Sequence, residues 1–237
     1  MKIEIDTHTH TLVSGHAYST MNEMAVAARE KGLKGIALTE HAPLLPGSPH
    51  FYYFQNLKVV PREKCGIRLF LGVELNILNQ KGEVDLAPEI LEILDLRIAS
   101  IHVPCYEGER TVDAITEAYL RAMENPNIDI IGHPDDGRFP INYYRLVQGA
   151  VATGTILEVN NTSLSPESFR QNGRENILNL LQECKAQGAF IALGTDAHVD
   201  TAIGEYPYVM ELLKESDFPE ELVVNTSIEK LEKYIKK

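Results

Sequence analysis

The sequence predicts a parallel β/α barrel of seven strands, and three observations carry that expectation. Short apolar runs alternate with amphipathic stretches from one end to the other, the rhythm of βα units around a parallel sheet. The 237 residues match the usual size of one α/β barrel, about 200 to 250 residues, so a single domain over residues 1–237 is expected. Seven of the eight histidines fall at or just past the carboxyl end of an apolar run, in company with Glu74 and Asp196. Residues so far apart in the chain converge only in a fold that collects its strand ends in one place.

Read in order, the strands are expected at Lys2 to Thr7, Gly35 to Thr39, Ile67 to Val73, Leu96 to Ile101, Ile128 to Ile131, Thr155 to Val159 and Phe190 to Gly194. Between the first two, Met21 to Lys31 reads as a helix, opened by the capping-box pattern Thr20-x-x-Glu23 and stopped by Gly32. Thr111 to Glu124, Tyr143 to Ala152 and Arg174 to Gln187 have helical periodicity, and Gly188 closes the last of these. Beyond the seventh strand come a helix at Tyr206 to Lys214 and a terminal one at Ser227 to Lys236. The latter has Ile228, Leu231 and Ile235 on one face, suited to packing on the barrel or closing its bottom. The longest irregular stretch, Ala42 to Asn56, holds three prolines and Phe51-Tyr52-Tyr53-Phe54; it suits a lid or substrate wall, or equally a packing or oligomer contact.

Composition excludes several function classes. A net charge of −12 without basic clusters argues against long nucleic acid and anionic membrane as partners. No stretch approaches the roughly 20 apolar residues that cross a bilayer. The first residues already read as strand, so no signal peptide is expected. Cys65, Cys105 and Cys184 are odd in number and lack Cys-x-x-Cys spacing, which fits reduced thiols in a cytoplasm.

The strand ends carry the chemistry. In Asp6-Thr7-His8-Thr9-His10 the two imidazoles are two residues apart on extended chain, so both point to one side. His16 follows in a turn. His41 ends the second strand, Glu74 the third, His102 the fourth and His133 the fifth, while Gly194-Thr195-Asp196-Ala197-His198 ends the seventh. Each alone could be an ordinary surface or core residue, but such residues at six of seven strand ends are not independent accidents. Imidazole and carboxylate are the usual ligands of catalytic zinc, manganese and iron, so the set predicts a multi-metal site.

These motifs resemble those of the PHP superfamily, named for polymerase and histidinol phosphatase members, over nearly the whole chain. Asp6-Thr7-His8-Thr9-His10 is similar to the first motif, Thr39-Glu40-His41 to the second, His102 with His133-Pro134 to the third region, and Gly194-Thr195-Asp196-Ala197-His198 to the fourth. His16-Ala17-Tyr18-Ser19-Thr20, Gly82-Glu83-Val84-Asp85 and Glu158-Val159-Asn160-Asn161 resemble most the small stand-alone bacterial phosphatases of YcdX type. The resemblance implies a distorted seven-stranded TIM-like barrel with three clustered divalent metals, zinc first and manganese or iron as alternatives. It assigns His8, His10, Glu74 and Asp196 to one ion. Glu74 would bridge to a second held by His102 and His133, and His16, His41 and His198 would hold the third. His50 has no place in that scheme.

The activity so implied is phosphoesterase: hydrolysis of a small phosphate monoester by a metal-activated hydroxide, with Glu74 and Asp196 fixing metal spacing and charge. Arg138, Arg110 and Lys81 sit in loops after strand ends and are candidates for contacting the phosphate. The motifs are shared with phosphodiesterases and histidinol phosphatases. Two further readings stand beside these: an amidohydrolase-type C–N hydrolase, which also opens on His-x-His, and a noncatalytic metal-stabilised scaffold.

Overall fold

The computed structural model describes residues 1–235, so Lys236, the last residue of the expected terminal helix, lies outside the described residues. All seven expected strands form: β1 Ile5–Thr9, β2 Gly35–His41, β4 Ile67–Asn76, β5 Leu96–Ser100, β6 Ile130–Ile131, β7 Ile156–Asn160 and β8 Ile191–Gly194. A two-residue strand β3, Glu63–Lys64, adds an antiparallel hairpin to the start of β4. The sheet runs β1-β2-β4-β5-β6-β7-β8 with every pairing on that path parallel. Consecutive strands are neighbours throughout, and helices α1 Met21–Glu30, α4 Val112–Met123, α5 Tyr143–Thr153 and α6 Gly173–Gln187 form where expected.

The seam between β8 and β1 closes differently at its two ends. At the carboxyl rim the backbones meet directly, with Asp196 N–H donating to His8 O at 2.9 Å and His10 N–H to Ala197 O at 2.9 Å. Lower down, the side chain of Asn225 acts as a stand-in for a strand: Nδ2 donates to Ile5 O at 2.9 Å and to Leu193 O at 2.8 Å, while Oδ1 accepts from Leu193 N–H at 2.6 Å. A primary amide carries the same donor and acceptor as a peptide group, so one buried side chain satisfies both edges.

Alternation along the strands sorts the side chains. In β4, Leu69, Leu71, Val73 and Leu75 face the helices, and Phe70 joins an inner cluster with Ile5, Ala37, Leu96, Ile98, Ile130, Ile156 and Ala192. Val224 and Leu231, the latter from the terminal helix α8 Ile228–Tyr234, belong to this inner cluster, so the carboxyl-terminal segment plugs the bottom of the barrel. The same parity carries Glu74 and Asn76 inward above Phe70, and Glu158 and Asn160 inward above Ile156. In β1 the register slips between Asp6 and Thr9. That irregularity puts His8 and His10, rather than Thr7 and Thr9, on the inner side above Ile5.

Some boundaries differ from the sequence reading. β1 starts at Ile5 instead of Lys2, because Glu4 already bonds to Asn225 and to the backbone of Lys34 and Gly35. The stretch expected to be irregular contains α2, Phe51–Asn56, capped by His50, whose Nδ1 accepts from Tyr52 N–H. Phe54 is fully buried there, so this half of the loop is packed scaffold rather than lid.

Candidate metal centre

Four side-chain atoms meet at the mouth of the barrel above the apolar plug. His8 Nε2 lies 3.1 Å from His10 Nε2, 3.5 Å from Glu74 Oε2 and 3.7 Å from Asp196 Oδ1; His10 Nε2 lies 3.6 Å and 3.2 Å from the same two oxygens. For ligands about 2.1 Å from a tetrahedral ion, neighbouring ligand atoms stand about 3.4 Å apart, the middle of this range. The donors of His8, His10 and Glu74 therefore have the spacing of ligands to one divalent cation, with Asp196 Oδ1 close to both imidazoles. Glu74 Oε2 and Asp196 Oδ1 are buried with no hydrogen-bond partner, which in an uncharged interior would be costly.

Glu74 turns its other oxygen to a second group, with Oε1 2.8 Å from His133 Nε2 and 3.2 Å from His102 Nε2. A third lies nearer solvent, where His16 Nε2 faces His198 Nε2 at 3.1 Å and the His41 ring stacks between His10, at 4.1 Å, and His16, at 4.9 Å. His41 also reaches inward, its Nδ1 2.6 Å from Glu74 Oε2 but outside hydrogen-bond geometry, and both of its ring nitrogens are buried and unpaired. Three overlapping groups have metal-ligand spacing: His8, His10 and Glu74; His41, Glu74 and His102; His10, His41 and His198. All nine residues anticipated as ligands thus stand in one cluster, with His41 shared between the inner and outer groups.

A supporting layer fixes the imidazoles. His8 Nδ1 bonds to Glu158 Oε1 at 2.7 Å, and Glu158 Oε2 accepts from His133 N–H at 2.7 Å. Gly194 makes this arrangement fit, since a Cβ there would lie 2.0 Å from Glu158 Oε1. Asn76 Oδ1 holds His102 Nδ1 at 2.7 Å, and the carbonyl of Asp196 holds His198 Nδ1 at 2.8 Å. Each such bond places the ring proton on Nδ1 and leaves Nε2 free to face the centre. Buried Glu40 accepts from Thr11 and Ser14, fixing the turn that carries His16, and buried Asp6 accepts from Thr195 and Gly204, fixing the loop that carries Asp196 and His198. His133 and Asp196 both take the left-handed backbone conformation, at φ 28° and 56°, which is uncommon for non-glycine residues.

Electrostatics separate the groups by charge. Burial works against ionisation of Glu74, yet His102, His8 and His41 hold its carboxyl well below the usual range. Burial likewise opposes ionisation of Asp196, and His8, His10 and Arg170 outweigh it. Burial lowers His41 to about 4 and also lowers His10, His16 and His133, so these imidazoles stay neutral, the form that ligates metal.

A cavity of about 320 Å³ opens onto the cluster, lined by His16, His41, His102, Asp196 and His198 together with Leu45, Thr162, Phe169 and Arg170. Arg138, Arg110 and Lys81 do not line it. Arg138 is paired with Asp136 at 2.5 Å, the Arg110 guanidinium lies over the Phe139 ring, and Lys81 is exposed in a turn held by Asn79. The cation lining the cavity is instead Arg170, its side chain buried, with Nη2 2.9 Å from Asp196 Oδ2 and Nη1 on Asn160 Oδ1 and Ser163 Oγ. The sequence reading passed over it because it sits ten residues past the strand end, with no ligand-like spacing. Glu158 had a legible signal, inward parity at the end of β7 beside Asn160.

Comparison with known proteins identifies the family and the fold. A family model described as PHP domain matches residues 6–162. The chain is 42% identical over 237 residues to a protein of Acetivibrio thermocellus named "Probable phosphatase", covering 100% of this chain and 97% of that one. It is 41% identical over 236 residues to a "Probable phosphatase" of Caldanaerobacter subterraneus, covering 99% and 92%. Among solved structures, the fold is similar to histidinol phosphate phosphatase of Lactococcus lactis complexed with zinc, L-histidinol and phosphate. The TM-score is 0.64 at 22% identity, covering 91% of this chain and 94% of that one.

Proposed function

As the chain belongs to the PHP domain family, we propose that it is a metal-dependent phosphatase hydrolysing small phosphate monoesters at the barrel mouth. His8, His10, Glu74 and Asp196 would hold one divalent ion, Glu74, His102 and His133 a second, and His16, His41 and His198 a third, with zinc the first choice of metal. Ions bound there would supply an activated water at neutral pH and polarise the phosphoryl oxygens. The observation that carries the reading is the convergence of His8, His10 and Glu74 at metal-ligand spacing with Asp196 beside both imidazoles, the facing oxygens of Glu74 and Asp196 being buried with no hydrogen-bond partner.

The chain's own residues do the rest. Glu74 faces two groups through separate oxygens and so fixes their spacing. Arg170, held rigid by Asp196, Asn160 and Ser163, brings a permanent positive charge to the cavity wall where an anionic phosphate would sit. Leu45 and Phe169 confine the opening, and a cavity of this size suits a small leaving alcohol better than a polymer.

The test is metal-stripped protein reloaded with zinc or manganese, measured for metal content by elemental analysis and for turnover of p-nitrophenyl phosphate. Turnover should depend on added metal, and His8→Ala and Asp196→Ala should each abolish it while lowering metal content. Undiminished hydrolysis by Asp196→Ala, or by the stripped protein, would refute the assignment.

A further inference from the structure

Resting on the phosphatase reading, we propose that Phe169 is a stacking platform that selects monoesters whose alcohol portion carries a planar aromatic group. Phe169 is 69% exposed, yet it lines the metal cavity rather than a random stretch of surface. Its neighbour in sequence, Arg170, is anchored inside the site, so the ring's place at the mouth is set by the same residue that touches Asp196.

The surrounding loop is pinned rather than loose. Gly137 N–H donates to Gln171 O at 2.8 Å, an approach that leaves no room for a Cβ at Gly137, and Asn176 Nδ2 donates to Asp135 O at 2.7 Å. Arg138, itself fixed by Asp136, places its guanidinium 4.9 Å from the Phe169 centroid, and that of Arg170 lies at 5.7 Å. Cations of this kind hold a ring through its quadrupole, so the two guanidinium groups fix the phenyl ring while most of the residue stays exposed. An exposed phenyl ring is thus preorganised at the cavity mouth, with Leu45 offering a second apolar contact for the same group. An aliphatic alcohol of the same bulk would gain the apolar contact but not the stacking.

The experiment compares benzyl phosphate with cyclohexylmethyl phosphate, matched in size and in distance from phosphorus, on metal-loaded wild type and Phe169→Leu. A second pair, adenosine 5′-monophosphate and ribose 5-phosphate, places the ring farther from the ester. Wild type should prefer the aromatic member of at least one pair, and Phe169→Leu should cut that preference about two- to twelve-fold, the span expected for loss of one aromatic contact. Turnover of the non-aromatic member should fall less than that of its aromatic partner. Calorimetric affinity for benzylphosphonate, a non-hydrolysable ligand, should weaken in parallel. Equal effects on both members of both pairs, or none on either, would overturn the platform while leaving the phosphatase reading intact. Failure of wild type to hydrolyse any of the four would instead remove the reading beneath it.

Discussion

Replacing Glu158 by Gln changes one atom and should nevertheless weaken metal binding, because every group facing that carboxylate is a donor. Oε1 faces His8 Nδ1, and Oε2 faces both His133 N–H and Asn160 Nδ2. A glutamine must turn its NH₂ towards one side. Placed at Oε2 it would point at an N–H and another amide; placed at Oε1 it would require His8 Nδ1 to accept, moving the ring proton onto Nε2 and blocking the atom that faces Glu74 and Asp196. The first choice strands a fully buried donor, which costs about 1–3 kcal/mol, and the second removes a nitrogen from the cluster. Removal of such a supporting partner typically lowers metal affinity about 10- to 100-fold, or roughly 1.4–2.8 kcal/mol. Competition against a chromophoric chelator would read this directly. The weakened ions should be those served by His8 and His133, whereas the outer group of His16 and His198, which Glu158 does not touch, should keep its affinity. Unchanged affinity throughout, in a variant that is folded, would show that Glu158 does not set the ring tautomers.

Further outcomes are expected. Asn225→Ala removes three buried hydrogen bonds at the seam and leaves Leu193 N–H without its acceptor. A loss of about 2–4 kcal/mol in urea unfolding should result, with metal content retained; a loss under about 0.5 kcal/mol would show that the seam does not depend on this side chain. In metal-free protein the His41 imidazole, lowered by burial to about 4, should stay neutral at about pH 5, where an ordinary histidine is protonated; a ring-proton chemical shift that titrates near about 6.5 would contradict the burial argument. Arg170→Met should lower kcat/KM for a phosphate monoester at least about tenfold, as expected for removing a charged contact from a closed site, whereas Lys81→Ala and Arg110→Ala should leave it within about twofold. His50→Ala should cost only the cap of α2, about 0.5–2 kcal/mol of stability, with unchanged turnover.

What could be read from the sequence was whatever obeys a local period. The alternation of β2, β4 and β5 brings His41, Glu74 and Ser100 to the same side as Ala37, Phe70 and Ile98, and the strand ends therefore fall in one place. The capping box at Thr20 and Glu23 forms as its spacing predicts. Local pattern failed where long-range contacts decide. Lys2 to Glu4 has strand-like composition, but the backbone of Glu4 is taken by Asn225, some 220 residues on, and no period along the chain announces that pairing. β6 is only Ile130–Ile131: Ile128 N–H turns back to Asn125 O, and Asp129 N–H, bonded to Arg97 O of β5, is its first contact after that turn.

The site divides along the same line. Metal ligands must present a nitrogen or oxygen from a rigid element, so they concentrate at strand ends and announce themselves by residue type and spacing. A residue that approaches from a loop is free of that constraint. Arg170 reaches Asp196 across 26 positions of sequence, and nothing but the folded path of residues 162–172 determines that it, and not Arg138, enters the cavity. Arg138 is closer in sequence to a proposed ligand, His133, yet Asp136 beside it captures its guanidinium. Proximity to a motif is therefore a poor guide to which cation serves a site; the deciding quantity is which carboxylate the folded path offers it, and here Asp136 holds Arg138 off the cavity lining while Asp196 holds Arg170 on it.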